Sequence, residues 1–206
     1  MVLGNRGRGF TQAIFGPLAR GLLRLGVSPN TVTVLGTVVL MALALTLFPM
    51  GYLAAGALAI GLVVLCDSID GIMAREAGHH TRFGSFLDST LDRFADAAIY
   101  IGLLVYFAVH VPPPWSVAGV VVTAACLAIA SVVSYARAKA ESLQFTASVG
   151  VAERADRLIL TLVATLIVGL GAPAWILVIA LGVLALASAI TVGQRIGAVA
   201  RQDAHR

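Results

Sequence analysis

The chain has 206 residues, 59% of them apolar, a formal net charge of +4 and two cysteines, and its mean hydropathy is +0.96. That hydropathy excludes an ordinary soluble domain, and the length leaves room for one domain, here taken as a single membrane domain over 1–206. The apolar residues come in blocks of about twenty, enough to cross a hydrocarbon core roughly 30 Å thick as a helix, and they lack the strict alternation of a barrel strand.

Residues 1–28 read as a juxtamembrane segment. Arg20 and Arg24 interrupt its apolar stretch, so it is not a signal peptide. On a helix, Phe10, Ile14, Leu18, Leu22 and Leu25 fall in a stripe about 120° wide with the two arginines opposite, which suits an N-terminal amphipathic helix lying in the headgroup layer. Pro17 marks a kink or a helix start within it. The turn GVSPN follows, with Asn30 expected to cap the first span and Pro29 just before it.

The expected fold is all-α: an integral membrane protein with a bundle of six transmembrane helices over 29–200. The spans run from Asn30 to Phe48, Tyr52 to Asp70, Ser85 to Val109, Trp115 to Tyr135, Leu158 to Leu170 and Ala174 to Gly193. The fourth is expected to continue into the cytoplasm as a helix through Ser131 to Leu143, because no breaker interrupts SVVSYARAKAESL. QFTASVG then reads as a loop. The fifth span is short, and its helix is extended back through Val151 so that Glu153 and Arg157 pair at i,i+4. Residues 201–206 read as a frayed tail. Cys66 and Cys126 fall inside spans and read as packing residues rather than a disulfide.

All 14 Lys and Arg residues fall on the side of the bundle that holds both termini, and the turns around FPMGY, HVPPPW and GLGAPAW carry none. The positive-inside rule then puts both termini in the cytoplasm, with an even number of spans in the cell membrane. All 10 acidic residues share that side, so the chemistry is expected there. Trp115 and Trp175 open spans on the far side and fit the interfacial aromatic belt.

Against this apolar background, CDSIDGIMAR at 66–75 is out of place. An aspartate at the centre of a spanning helix costs about 2.5–3.5 kcal/mol, and clustered carboxylates repel one another unless protons or cations neutralise them. At about 100° per residue, Asp67, Asp70, Gly71 and Ala74 lie within about 100° of one another, and Gly84, Asp88 and Asp92 lie within about 80°, with Asp96 continuing the stripe. The short connection EAGHHTRF makes the two helices antiparallel neighbours, so their acidic faces are expected to meet. Two pairs of hard oxygen donors suit Mg²⁺ or Mn²⁺, the small residues leave room for a ligand, and Arg75 is placed to bind a diphosphate. Paired metals suit phosphoryl transfer. A purely structural network of the aspartates with Arg75, Arg82 and Arg93 leaves the glycines unexplained.

These residues carry a resemblance. Asp67, Asp70, Gly71, Ala74, Arg75, Gly84, Asp88 and Asp92 reproduce the pattern DxxDGxxAR, eight residues, GxxxDxxxD without departure, and the chain resembles the CDP-alcohol phosphotransferases. The resemblance implies a cytoplasm-facing site with two metal ions, where CMP is displaced from a CDP-linked lipid. On it, Asp67 would bridge both ions, Asp70 and Asp88 would complete their shells, and Asp92 would be both a ligand and the general base. Gly71 and Arg75 would contact the nucleotide and its diphosphate.

The acceptor is addressed by Arg137 and Lys139, by Arg154 and Arg157 ahead of the fifth span, and by Arg195 at the end of the sixth. Such a basic cluster suits a phosphorylated alcohol, although lipid-headgroup attraction would also account for each residue alone. The stretches PLARGLLRLGVSPNTVT, HHTRFGSFLDSTLDR, SYARAKAE and ERADRL resemble a branch of the family that joins CDP-diacylglycerol to myo-inositol phosphate as a homodimer. That likeness implies that Asn30, Thr31, Val32, Thr33, Ala74, Thr81 and Gly84 line the CDP-lipid site. It likewise implies that Ser134, Arg137, Arg154, Arg157 and Arg195 surround the acceptor phosphate. Two positions depart from the branch: Arg137 and Lys139 stand in the opposite order, and Ala155 stands where proline is expected. A family member using glycerol 3-phosphate is the nearest alternative. A cation transporter is the alternative from another class, but it calls for acidic residues at mid-membrane or on both sides.

Overall fold

Ser28 fixes where the first long helix begins. Its hydroxyl accepts a hydrogen bond from the Thr31 backbone N–H at 3.1 Å and lies 2.8 Å from the Thr31 hydroxyl. Ser28 is therefore the cap, and Pro29, with no N–H to leave unsatisfied, takes the first helical position. This corrects the expected cap at Asn30, which sits inside the first turn.

The computed structural model describes residues 16, 17, 20, 21, 23–76 and 81–204, with side chains left out at 67–72 and 74–76. Among the described residues there is no strand, and the helices in order are α1 (Pro29–Leu47), α2 (Leu53–Glu76), α3 (Arg82–His110), α4 (Trp115–Ser142), α5 (Arg154–Gly169) and α6 (Trp175–Asp203). Ahead of α1, residues 16, 17, 20, 21, 23 and 24 are helical and Leu25 is exposed, whereas Phe10, Ile14, Leu18 and Leu22 of the expected stripe lie outside the described residues. So do His205 and Arg206 of the tail.

Four helices, α1, α3, α4 and α6, are long and apolar enough to cross a membrane. The apolar run Leu53–Cys66 of α2 is shorter, and α5 has 16 residues. The protein is an all-helical, multi-pass membrane protein. Large apolar side chains such as Leu58, Val117 and Leu186 stand exposed, which suits a surface whose solvent is hydrocarbon.

Helix ends differ from the sequence reading where side chains capture the backbone. α4 runs unbroken to Ser142, as its composition implied. α5 starts at Arg154, three residues later than the expected Val151, because the Val151 and Ala152 N–H groups donate to the Thr191 hydroxyl of α6 at 3.2 and 3.1 Å. Glu153 is then the extended N-cap, and its N–H donates to the Asp156 carboxylate at 3.0 Å. Glu153 thus stands outside the helix that an i,i+4 pair with Arg157 requires, and the charge partner of Arg157 is Asp96 instead. At the C-terminus α6 continues to Asp203, well into the expected tail. There Gln202 accepts from the Thr146 N–H at 2.9 Å and donates to the Thr146 carbonyl at 2.7 Å.

The chain divides into two compact units, one of residues 1–43 and 59–95, the other of 44–58 and 96–206. In the first, Met73 of α2 is fully buried against Leu23, Val27, Val32 and Cys66. In the second, α6 packs against both α4 and α5. Close approach there depends on missing side chains. A Cβ on Gly102 would lie 2.3 Å from the Ala44 carbonyl oxygen, one on Gly119 would lie 2.2 Å from the Phe107 ring, and one on Gly169 would lie 2.2 Å from the Ala54 nitrogen. Two buried hydroxyls are satisfied within their own helices, Thr123 on the Gly119 carbonyl at 2.6 Å and Thr165 on the Thr161 carbonyl at 2.7 Å.

Candidate active site

The first unit holds the start of α3, and Thr81 builds it. The Thr81 hydroxyl accepts from the Gly84 N–H at 2.9 Å, capping the helix three residues ahead. A Cβ on Gly84 would lie 3.0 Å from that hydroxyl and 3.1 Å from the Asn30 side-chain oxygen. The structure therefore brings together three residues expected at the CDP-lipid site, Asn30, Thr81 and Gly84, and glycine keeps the space between them open. The other expected residues on α1 are divided. Val32 packs against Met73, the Thr33 hydroxyl donates to the Pro29 carbonyl at 3.1 Å, and the Thr31 hydroxyl is engaged with Ser28.

One and two turns further along α3 stand Asp88, exposed, and Asp92, whose side chain is 21% exposed with Arg93 Nη1 at 3.8 Å. Arg93 also donates to the Ser89 carbonyl. On α2 the backbone is helical through Glu76, so the one-turn spacing assumed for Asp67, Asp70, Gly71, Ala74 and Arg75 holds, while their side chains lie outside the described residues. Among the described residues no group of three His, Cys, Asp or Glu side chains forms a metal cluster. The described donors fit a divalent ion by their chemistry: two carboxylates one turn apart on one helix face, both reached by solvent, offer the hard oxygens that Mg²⁺ or Mn²⁺ takes.

The second unit holds the basic residues, and here burial dominates. Arg157 is 3% exposed and Arg195 5% exposed. Arg195, in the part of α6 beyond the apolar run, donates from Nη1 to the Val133 carbonyl at 2.5 Å and from Nε to the Val149 carbonyl at 3.1 Å, tying α4 and the 143–153 connection to α6. Arg157 donates from Nη1 to the Ala152 carbonyl at 3.2 Å. Burial and then the charges of Arg137 and Arg157 hold the Arg195 guanidinium below its ordinary range, with Glu153 and Glu141 partly opposing them. Arg137, Arg157 and Arg195 thus share one electrostatic neighbourhood, in which an anion would relieve mutual repulsion. Arg137 is exposed and pairs with Glu141 at 2.9 Å, and Ser134 is half-buried on the same helix.

Asp96 is the residue left without a role by its sequence pattern. It appears there only as a continuation of the acidic stripe, yet its carboxylate takes Arg154 Nε at 3.3 Å and Arg157 Nη2 at 3.7 Å. Nor did the sequence show the carbonyls of Val133, Val149 and Ala152 as guanidinium partners, since every residue carries that group.

Comparison with known proteins gives a consistent result. A family model for CDP-alcohol phosphatidyltransferases matches residues 26–193. The chain is 49% identical over 195 residues to a phosphatidylinositol phosphate synthase of Cutibacterium acnes, covering 91% of this chain and 93% of that protein. It is 44% identical to the synthase of the same name from Mycobacteroides abscessus, over 90% of this chain and 83% of that one. The crystal structure of the Mycobacterium tuberculosis phosphatidylinositol phosphate synthase with CDP-DAG bound superposes with a TM-score of 0.85 at 43% identity, covering 91% of this chain and 94% of that chain. A second structure of that enzyme, in complex with manganese and citrate, gives a TM-score of 0.83 at 44% identity, covering 89% and 87%.

Proposed function

This chain belongs to the CDP-alcohol phosphatidyltransferase family, and on that premise we infer that it transfers the phosphatidyl group of CDP-diacylglycerol to a hydroxyl of myo-inositol phosphate and releases CMP. It is a divalent-metal-dependent enzyme of phospholipid biosynthesis. The structural observation that carries the choice of a phosphorylated acceptor is the buried cationic cluster of Arg157 and Arg195, 3% and 5% exposed, with Arg137 in the same electrostatic neighbourhood. Buried like charges are costly unless an anion joins them, and a monophosphate is such an anion.

Asp67, Asp70, Asp88 and Asp92 would hold two Mg²⁺ ions, with Mn²⁺ as a substitute. Bound there, the ions supply charge neutralisation on the diphosphate. The residues of the chain do the rest. Asn30, Thr31, Val32, Thr33, Ala74, Thr81 and Gly84 line the CDP-lipid site, and Gly71 and Arg75 bind the nucleotide and diphosphate. Ser134, Arg137, Arg154, Arg157 and Arg195 bind the acceptor phosphate and so orient its hydroxyl. Asp92 accepts the hydroxyl proton as the oxygen attacks the β-phosphorus, and the bond from that phosphorus to the bridging oxygen breaks, leaving CMP with the electron pair. Arg75 stabilises the charge that develops on the leaving phosphate.

The remaining organisation is proposed on the same footing. Six spans form one membrane domain behind an N-terminal interfacial helix, in the cell's inner membrane. Both termini and the site face the cytoplasm, where all the charged side chains of the sequence gather, and the family likeness supports a homodimer.

A CMP-release assay on the detergent-purified protein tests the reaction and acceptor together. With CDP-diacylglycerol and Mg²⁺, CMP is expected with inositol phosphate, with little from free inositol or glycerol 3-phosphate, and none in excess EDTA. Turnover on glycerol 3-phosphate in preference to inositol phosphate would overturn the acceptor. Metal uptake into vesicles without CMP release would overturn the reaction class.

A further inference from the structure

Asp96 belongs to neither ligand set assigned above. It follows Asp92 by four residues in the sequence, and the ion pairs described for it are within the second unit, with two arginines of the first turn of α5. Its two oxygens are divided between them. Oδ1 lies 3.3 Å from Arg154 Nε and Oδ2 lies 3.7 Å from Arg157 Nη2, so one carboxylate spans both guanidinium groups. Arg157 is also fixed on its far side by the Ala152 carbonyl at 3.2 Å.

The space beside the Arg157 half of this contact is small. Asp96, Ile99, Tyr100, Arg157, Leu158 and Thr161 line a void of about 10 Å³, at most room for one water and none for a phosphate. A phosphate reaching Arg157 must therefore approach from another side. A carboxylate so placed is within ion-pair distance of both groups, draws them toward one point and offsets one of the like charges in the cluster. The competing account is that Asp96 only neutralises a buried arginine, as any buried ion pair must. The two accounts differ in which kinetic constant responds.

We propose that Asp96 is a positioning residue for the acceptor: by holding Arg154 and Arg157 from behind, it presents their remaining N–H groups to the phosphate of the incoming alcohol. The proposal rests on the reading that these arginines bind the acceptor phosphate, so its test must separate the two. Steady-state CMP release is measured for Asp96→Asn, Arg154→Ala and the double variant, varying inositol phosphate and CDP-diacylglycerol in turn. Thermal unfolding in detergent is followed in parallel.

Asp96→Asn is expected to raise KM for inositol phosphate about tenfold, the scale of one charge-assisted hydrogen bond, while kcat and KM for CDP-diacylglycerol stay within about twofold. Arg154→Ala is expected to raise the same constant, and the double variant to do little more than the worse single one, because the two residues act as a unit. If Arg154→Ala raises the acceptor KM and Asp96→Asn does not, the positioning role falls and the phosphate site stands. If neither raises it, the phosphate site falls and takes the role with it. Multiplying effects in the double variant, or a loss in Asp96→Asn confined to kcat or the melting temperature, also overturns the role. Should Asp96→Asn not fold, Asp96→Glu decides. It keeps the charge but displaces it by one methylene, and about a threefold rise in acceptor KM alone is expected, an unchanged value overturning the role.

Discussion

The acidic start of α3 and the basic cluster of the second unit are built on opposite principles. Asp88 is exposed and Asp92 retains 21% of its side-chain surface, both on the open face of a helix that Thr81 caps and Gly84 keeps clear. Arg157 and Arg195 are almost fully buried; some of their N–H groups donate to the Ala152, Val133 and Val149 carbonyls, and Arg157 is also ion-paired with Asp96. The carboxylates are placed for a ligand to reach, and the helix would stand without them. The Arg195 guanidinium ties α4 and the 143–153 connection to α6, so the proposed binding and stability are entangled there. Chemistry on the acidic side is thus separable from folding, and on the basic side it is not.

The largest expected effect breaks the acidic side alone. Asp92→Asn removes the proposed proton acceptor and a metal ligand together, and CMP release is expected to fall at least about 10²-fold, and as far as about 10⁴-fold, with the melting temperature unchanged within error. Normal turnover would remove Asp92 from the mechanism. Arg195→Ala is the counterpart on the basic side. It leaves the Val133 and Val149 carbonyls without their partner, so about 2–4 kcal/mol of stability is expected to disappear along with a raised acceptor KM. If denaturation in detergent micelles is unaffected while KM rises, the entanglement argued above is wrong.

Gly102→Ala sharpens the contrast from within the second unit. Its Cβ would meet the Ala44 carbonyl oxygen at 2.3 Å, and backbone yields poorly, so a loss of about 2 kcal/mol is expected in thermal melts with both KM values unchanged. Gln202→Ala is the smallest. It releases Thr146 from the end of α6, and about 1 kcal/mol is expected, read as a small drop in melting temperature and faster proteolysis near 143–153. A shift in acceptor KM in that variant would show that the loop leading into Arg154 is itself part of the acceptor site.

Most of the membrane architecture was legible because bilayer thickness converts directly into helix length. α1, α3, α4 and α6 match expected spans closely, and the continuation of α4 to Ser142 followed from the absence of any breaker. The start of α5 was not legible. VAERADRL is good helical sequence, and only the Thr191 hydroxyl, forty residues away, draws the N–H groups of Val151 and Ala152 out of it. Asp96 shows the same limit. Periodicity placed it on the acidic stripe, but no local rule tells a third carboxylate on that stripe that its partners come from α5.

By itself, the sequence determined the solvent of this protein, the helical spacing of the eight-residue signature and the family to which that signature belongs. Those properties depend on composition and on separations of a few residues, which helix geometry turns into faces. The tertiary structure decided which carbonyls receive Arg195, that Asp96 pairs with Arg154 and Arg157, and where α5 begins. Each of these is a contact between segments remote in the chain, selected by packing that brings the partners together.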